Sequence, residues 1–120
     1  KEYAPAAVYL GKVYVEANEP EKAKDMYQKC LKQDELKAEA YNGLAYCSME
    51  QEDYEKALEY IQKGLEVKDR EVNQALLFNE IVVYERSRDF ASAKEKMQQY
   101  LAQYPADAAA VKENYFLQTR

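Results

Sequence analysis

At 120 residues and a net charge of −5, the chain is long enough for one domain that buries about two-thirds of its unfolded surface. Its charges are of mixed sign along every segment, so there is no basic stripe to neutralise a phosphate backbone, and nucleic acid is excluded as a partner. No apolar run nears the ~20 residues of a membrane span, and the absence of histidine removes the usual base for nucleophilic catalysis.

Only three glycines and three prolines interrupt a sequence rich in Ala, Leu, Glu, Lys and Gln, which is an all-helical composition. The prolines act as punctuation. Pro5 and Pro20 fall where helices begin, because the first turn does not need the missing N–H. Pro105 ends the helix before it. Apolar spacing then predicts helices over about 4–17, 20–33, 37–50, 53–67, 72–87, 90–103 and 107–118. The connections are short enough to force antiparallel helical hairpins.

In the first pair of helices the core stripes are Ala7, Leu10, Gly11 and Tyr14, then Ala23, Tyr27, Cys30 and Leu31. In the second they are Tyr41, Leu44, Ala45 and Ser48, then Tyr54, Ala57, Ile61, Gly64 and Leu65. The third pair offers Leu77, Ile81 and Tyr84, then Phe90, Ala93, Met97, Tyr100 and Leu101. The equivalent alanines stand at 23, 57 and 93, and leucines follow at 31, 65 and 101. The steps are therefore 34 and 36 residues. A fixed period in this range signals stacked supersecondary units that cannot bury their apolar faces alone.

The site chemistry is sparse. Cys30 and Cys47 fit no metal spacing; they read as buried core thiols, with a disulfide and a reactive thiol as the alternatives. The carboxylates around Glu50, Glu52, Asp53 and Glu55 alternate with lysines and read as a solvated face with i,i+4 pairs. With glycines only at 11, 43 and 64, neither a P-loop nor a G-x-G-x-x-G turn is present. No cofactor, no metal and no enzymatic activity are expected.

Leu10-Gly11, Tyr14, Ala23, Tyr27 and Cys30-Leu31 in the first copy carry a family pattern. So do Tyr41, Leu44-Ala45, Tyr54, Ala57 and Gly64-Leu65 in the second, and Tyr84, Phe90, Ala93, Leu101 and Pro105 in the third. On these residues the chain resembles a tetratricopeptide repeat (TPR) domain. The departures are Ala7 for the first aromatic, Glu80 for a leucine and Ile81 for a small residue. In this register Glu80 is expected to be partly buried; a local register shift or a snorkelling side chain relieves that, and otherwise it pairs with a neighbour such as Lys63 or reaches into the groove.

The resemblance implies an all-α fold, a right-handed superhelical stack of antiparallel helical hairpins. The whole of 1–120 is then a single domain, with repeats at about 4–37, 38–73 and 74–107 and a capping helix at about 107–120. It also implies a concave groove that binds an extended peptide or partner helix. The positions carried over to that groove are Val8, Lys12 and Val15; Asn42, Tyr46 and Met49; and Phe78, Val82, Glu85 and Arg86, with Lys112 and Phe116 as additions from the last helix. Phe78 and Val82 also stand off the core stripe on spacing alone, which leaves packing on an adjacent helix, a ligand or self-association to cover them.

Chaperone C-terminal carboxylate tails do not fit. The matching clamp positions are Val8, Lys12, Gly43, Ala75 and Asn79, of which only Lys12 is basic. The alternative to a peptide-binding scaffold is a structural, self-associating module of a larger cell-envelope protein. The closing segment Tyr104-Pro105-Ala106-Asp107 through Tyr115-Phe116-Leu117-Gln118-Thr119-Arg120 is similar to the ends of some Gram-positive TPR lipoproteins. Lys1 at the start position fits a longer parent, so a bacterial, extracytoplasmic, membrane-anchored protein is the expectation for localisation.

Overall fold

A computed structural model describes residues 3–120, and side chains from Ala6 onward. Seven α-helices follow one another: α1 (Tyr3–Glu16), α2 (Pro20–Cys30), α3 (Lys37–Glu50), α4 (Tyr54–Val67), α5 (Arg70–Arg86), α6 (Phe90–Gln103) and α7 (Ala108–Gln118). They match the periodicity reading closely. The main difference is at α2, which stops at Cys30; a 3₁₀ turn over Asp34–Leu36 then leads into α3. That turn lets Leu36 enter the core, where it is buried.

The repeated turn blocks have a common physical cause. Asn18, Glu52 and Arg88 take left-handed backbone, with φ of 60°, 63° and 68°. The next residue's N–H then donates back to the carbonyls of Tyr14, Ser48 and Tyr84 respectively, each at 2.9 Å. This is the 6→1 closure that satisfies a helix C-terminus, made here without glycine at roughly 1 kcal/mol of strain per turn. Asp53 and Asp89 then cap the following helices by accepting the N–H of Lys56 and Ser92, both at 3.2 Å. In the first copy Glu19 makes no side-chain cap, and Pro20 supplies the helix start instead.

The chain divides into two units, Lys1–Leu76 and Leu77–Arg120, with the division inside α5. In the first unit α1 pairs with α2, α3 with α4, and α3 also packs on α2 and α1. Tyr27 is the wedge of this unit. Its ring, 3% exposed, lies so close to Gly11 on α1 and Gly43 on α3 that a methyl at either glycine would collide with it. Val8, Ala23, Cys30, Leu36, Ala40, Leu44 and Cys47 complete the cluster around it. Gly64 lies close to Leu76 and Tyr41, so a methyl there would need those side chains to give by a few tenths of an ångström.

Two readings of this unit need correction. Leu10, placed on the core stripe of α1, is 37% exposed, while Val8, placed on the groove, is buried. The inward face of α1 runs through Ala7, Val8, Gly11, Tyr14 and Val15, a helical stripe rotated away from Leu10. Met49, also assigned to the groove, is 2% exposed. α3 packs on α1, α2 and α4, so a helix enclosed on several sides leaves no free face at that position.

In the second unit the core is Ile81, Ala93, Met97, Tyr100, Ala110 and Leu117, with Leu77, Phe78, Tyr84, Phe90, Leu101 and Tyr104 packed around it. α6 pairs with α7. Asp107 ties them together, accepting the Tyr100 hydroxyl while capping α7 through the Ala110 N–H. Glu80 is buried, with the Lys96 ammonium 3.8 Å from its carboxylate, and it makes a further interaction within the protein.

Candidate functional site

Of the ten groove positions carried over from the resemblance, six fall in the first unit and four in the second. In the first, Lys12 is exposed on α1 and Val15 half-buried beside it. Asn42 and Tyr46, one turn apart on α3, are both half-buried and both engaged in interactions within the protein. Because α1 and α3 are in contact, the fold brings these four side chains onto neighbouring helices. Val8 and Met49 drop out of the set, since the core encloses them.

In the second unit, Phe78 and Val82 are half-buried on α5. Phe78 packs in part on its own hairpin, its ring meeting that of Tyr100 edge to face at 5.6 Å. This is the adjacent-helix packing that spacing alone left as one of three options. Arg86 is exposed and Glu85 half-buried.

Glu85 has a strongly perturbed environment. Burial is the largest cause, the facing carboxyl of Glu113 on α7 adds to it, and Arg120 opposes it; the net effect pushes the Glu85 pKa up to about 8. Its Oε2 is buried without a donor. A proton held by Glu85 and shared with Glu113 fits both facts, because two facing ionised carboxylates repel. The stability consequence follows from linkage. The native state keeps a proton that the unfolded chain releases near pH 4.5, so stability falls as pH rises from about 4.5 to 8 and is level above that. Glu85→Gln removes the titration and retains a donor. Allowing for solvent screening, it should stabilise the protein by about 1–2 kcal/mol at pH 8 and by almost nothing at pH 4; urea unfolding at the two pH values measures this.

Around Glu85 the sequence reading missed a cleft. Glu85 and Arg86 at the end of α5, Arg88 in the turn, Phe90 at the start of α6, and Phe116 and Arg120 at the end of α7 line a space of about 470 Å³. The Arg120 guanidinium lies 3.7 Å from the centre of the Phe116 ring, and that of Arg88 lies 5.9 Å from Phe90. Lys94 Nζ donates to the Arg120 carbonyl at 2.6 Å and anchors that end of the chain. A signal was present in the sequence: three of its four arginines and two of its three phenylalanines are these residues.

Cys30 and Cys47 are free and buried. Burial pushes both thiols up, Cys47 to about 11, so neither is a ready nucleophile. Among the described residues, no group of three or more His, Cys, Asp or Glu side chains could hold a metal ion, and no helix is long and apolar enough to cross a membrane.

Consecutive helical hairpins on a beat of 34 and 36 residues define a helical-repeat protein. Tetratricopeptide repeat family models match residues 10–72 and 74–107, and the chain belongs to the tetratricopeptide repeat family. Solved structures agree on the all-α, superhelical hairpin fold. The first TPR of Spaghetti (RPAP3), bound to an HSP90 peptide, is 14% identical with a TM-score of 0.83 over 98% of this chain and 94% of that one. The Arabidopsis OM64 TPR domain is 17% identical, with a TM-score of 0.81 over 98% and 96%. The TPR2B domain of yeast Sti1, in complex with an Hsp70 peptide, is 19% identical, with a TM-score of 0.80 over the whole of both chains. At these identities the likeness is one of fold. Comparison with curated protein sequences gives no match.

Proposed function

We propose that this chain is a non-catalytic protein-interaction scaffold that takes an extended peptide or partner helix on the face formed by the first helices of its hairpins. The observation that carries the reading is the set Lys12, Val15, Asn42 and Tyr46. These are partly or fully accessible side chains on the contacting helices α1 and α3, held by the Tyr27 wedge beneath them. A preformed face of this kind loses little ordering entropy on binding. Within the second unit the same reading proposes Phe78, Val82, Glu85 and Arg86 on α5, with Lys112 and Phe116, both exposed on α7, as its additions. Peptides in the HSP90- and Hsp70-bound relatives support the general class of ligand.

A chaperone tail remains disfavoured for this chain. At two of the clamp positions, Val8 is in the core and Gly43 lies under Tyr27. The test is affinity capture with the wild type beside an Asn42→Ala/Tyr46→Ala variant whose helicity and melting temperature are unchanged. Partners bound by the wild type and lost by the variant support the face. Identical capture by both, or none by either, removes it.

Self-association is the second reading, and a specific observation favours it. Tyr9, Leu10 and Val13 on α1, and Val111, Tyr115 and Phe116 on α7, are large apolar side chains left exposed, Tyr115 by 78%. Sedimentation at rising protein concentration decides it, since a monomer throughout removes this option. The similarity of the closing segment to Gram-positive TPR lipoproteins adds a bacterial, extracytoplasmic, membrane-anchored parent to the proposal. Fractionation of the source cells tests that part.

A further inference from the structure

The cleft around Arg86, Arg88 and Arg120 has a chemistry that the rest of the protein lacks. The chain carries −5 overall and uses thirteen lysines for most of its positive charge, yet three of its four arginines converge on this one space. A lysine would neutralise a helix C-terminus equally well as a point charge. Arginine adds a planar fork that grips an oxyanion with two parallel hydrogen bonds. Arg120 is stacked on Phe116 and Arg88 lies over Phe90, so ring packing restrains both forks before any ligand arrives. The two rings also give the cleft apolar walls. Burial and the facing Glu113 raise the Glu85 pKa to about 8, which weakens the negative charge this carboxyl brings to the cleft.

We propose that this cleft is a binding site for an acidic peptide: a carboxylate or phosphoryl oxyanion sits on the guanidinium groups, and a neighbouring apolar side chain rests against Phe90 and Phe116. Charge complementarity names the occupant. A long polyanion would be repelled by the net negative chain, whereas a short acidic segment need meet only the cleft. The inference rests on the reading of the chain as an interaction module and deepens it at Glu85, Arg86 and Phe116, three positions of that reading within the second unit, whereas Asn42 and Tyr46 lie in the first.

The experiment is a ¹⁵N–¹H NMR titration of the full 120-residue chain, following backbone and arginine Nε–H signals. Three capped hexapeptides serve as probes: one alternating leucine and glutamate, its twin with glutamine for glutamate, and its twin with phosphoserine for glutamate. Expected are saturable shifts at Arg86, Arg88, Phe90, Phe116 and Arg120, with a Kd of about 1 mM or tighter for an acidic probe. The glutamine twin should bind at least about tenfold more weakly. Preference between glutamate and phosphoserine distinguishes the two sources of oxyanion. Arg88→Lys/Arg120→Lys keeps the charge and the fold but removes the forks, and should weaken binding by about tenfold. Absent shifts in the cleft, equal binding of the glutamine twin, or unchanged binding by the lysine variant each overturn the proposal. Shifts confined to Asn42 and Tyr46 would overturn it too while leaving the groove reading intact.

Discussion

Tyr27→Ala is expected to cost about 3–5 kcal/mol and to lower the melting temperature by roughly 10–20 °C. The ring is 3% exposed and acts as a spacer. It fills the gap between α1 and α3, pressing on Gly11 from one helix and Gly43 from the other. Removing it deletes the body that sets the separation of three helices, and the neighbours Leu44, Cys30 and Val8 cannot collapse far enough to close the void. Tyr27→Phe, which keeps the ring, should cost about 1 kcal/mol or less, so equal losses from the two substitutions would assign the effect to the hydroxyl instead. Gly43→Ala approaches the same contact from the opposite side. In the wild type its methyl strikes the ring, and the overpacking costs about 1–3 kcal/mol. Against Tyr27→Ala the same methyl enters empty space. A double-mutant cycle should therefore show coupling of about 1 kcal/mol or more, and strict additivity would mean that ring and glycine do not meet. Urea unfolding followed by circular dichroism reads all four species.

The helices were legible because their apolar residues recur at helical spacing and prolines mark their ends. The turns were legible as a repeated block, although the left-handed residues at 18, 52 and 88 carry no glycine to announce themselves. What spacing could not supply was rotation. On α1, Val8 and Leu10 are both aliphatic and only two positions apart, so the stripe could be drawn through either; packing chose Val8. On α3, the family resemblance carries Met49 to the groove, but α3 packs against three other α-helices and Met49 is buried among them. Gly43 was noticed only as a missing clamp residue, since its true partner, Tyr27, lies on a different helix.

The Arg cleft was hidden for a similar reason. Residues 86 and 88 are separated from 120 by two helices, and only the return of α7 to α6 unites them. Local periodicity reports which side of a helix is apolar. It does not report which distant charge arrives next to which ring.

Lys96→Met is the second substitution with a large expected effect, a loss of about 2–3 kcal/mol. Glu80 stands on α5 at 2% exposure, where the family resemblance places a leucine, and the ammonium of Lys96 on α6 lies 3.8 Å away. Lys96 itself keeps about a third of its side chain in solvent, 34%, so its own desolvation is modest while that of the carboxylate is nearly complete. The asymmetry sets the direction. Removing the lysine takes a cation away from a buried carboxylate, which in fully buried pairs costs about 3–5 kcal/mol; partial solvent access at Lys96 and the further interaction that Glu80 makes within the protein scale that down. Replacing both members, Glu80→Leu/Lys96→Met, should return the protein to wild-type stability or above it, because a buried pair repays its desolvation only in part. A cavity of about 30 Å³ bordered by Leu77, Glu80, Lys96 and Tyr100 gives the new methyl groups room. Chemical denaturation of the two variants separates the outcomes. A neutral Lys96→Met would mean that other neighbours hold the carboxylate, and a double variant weaker than the single would mean that Glu80 has a structural role that leucine cannot take over.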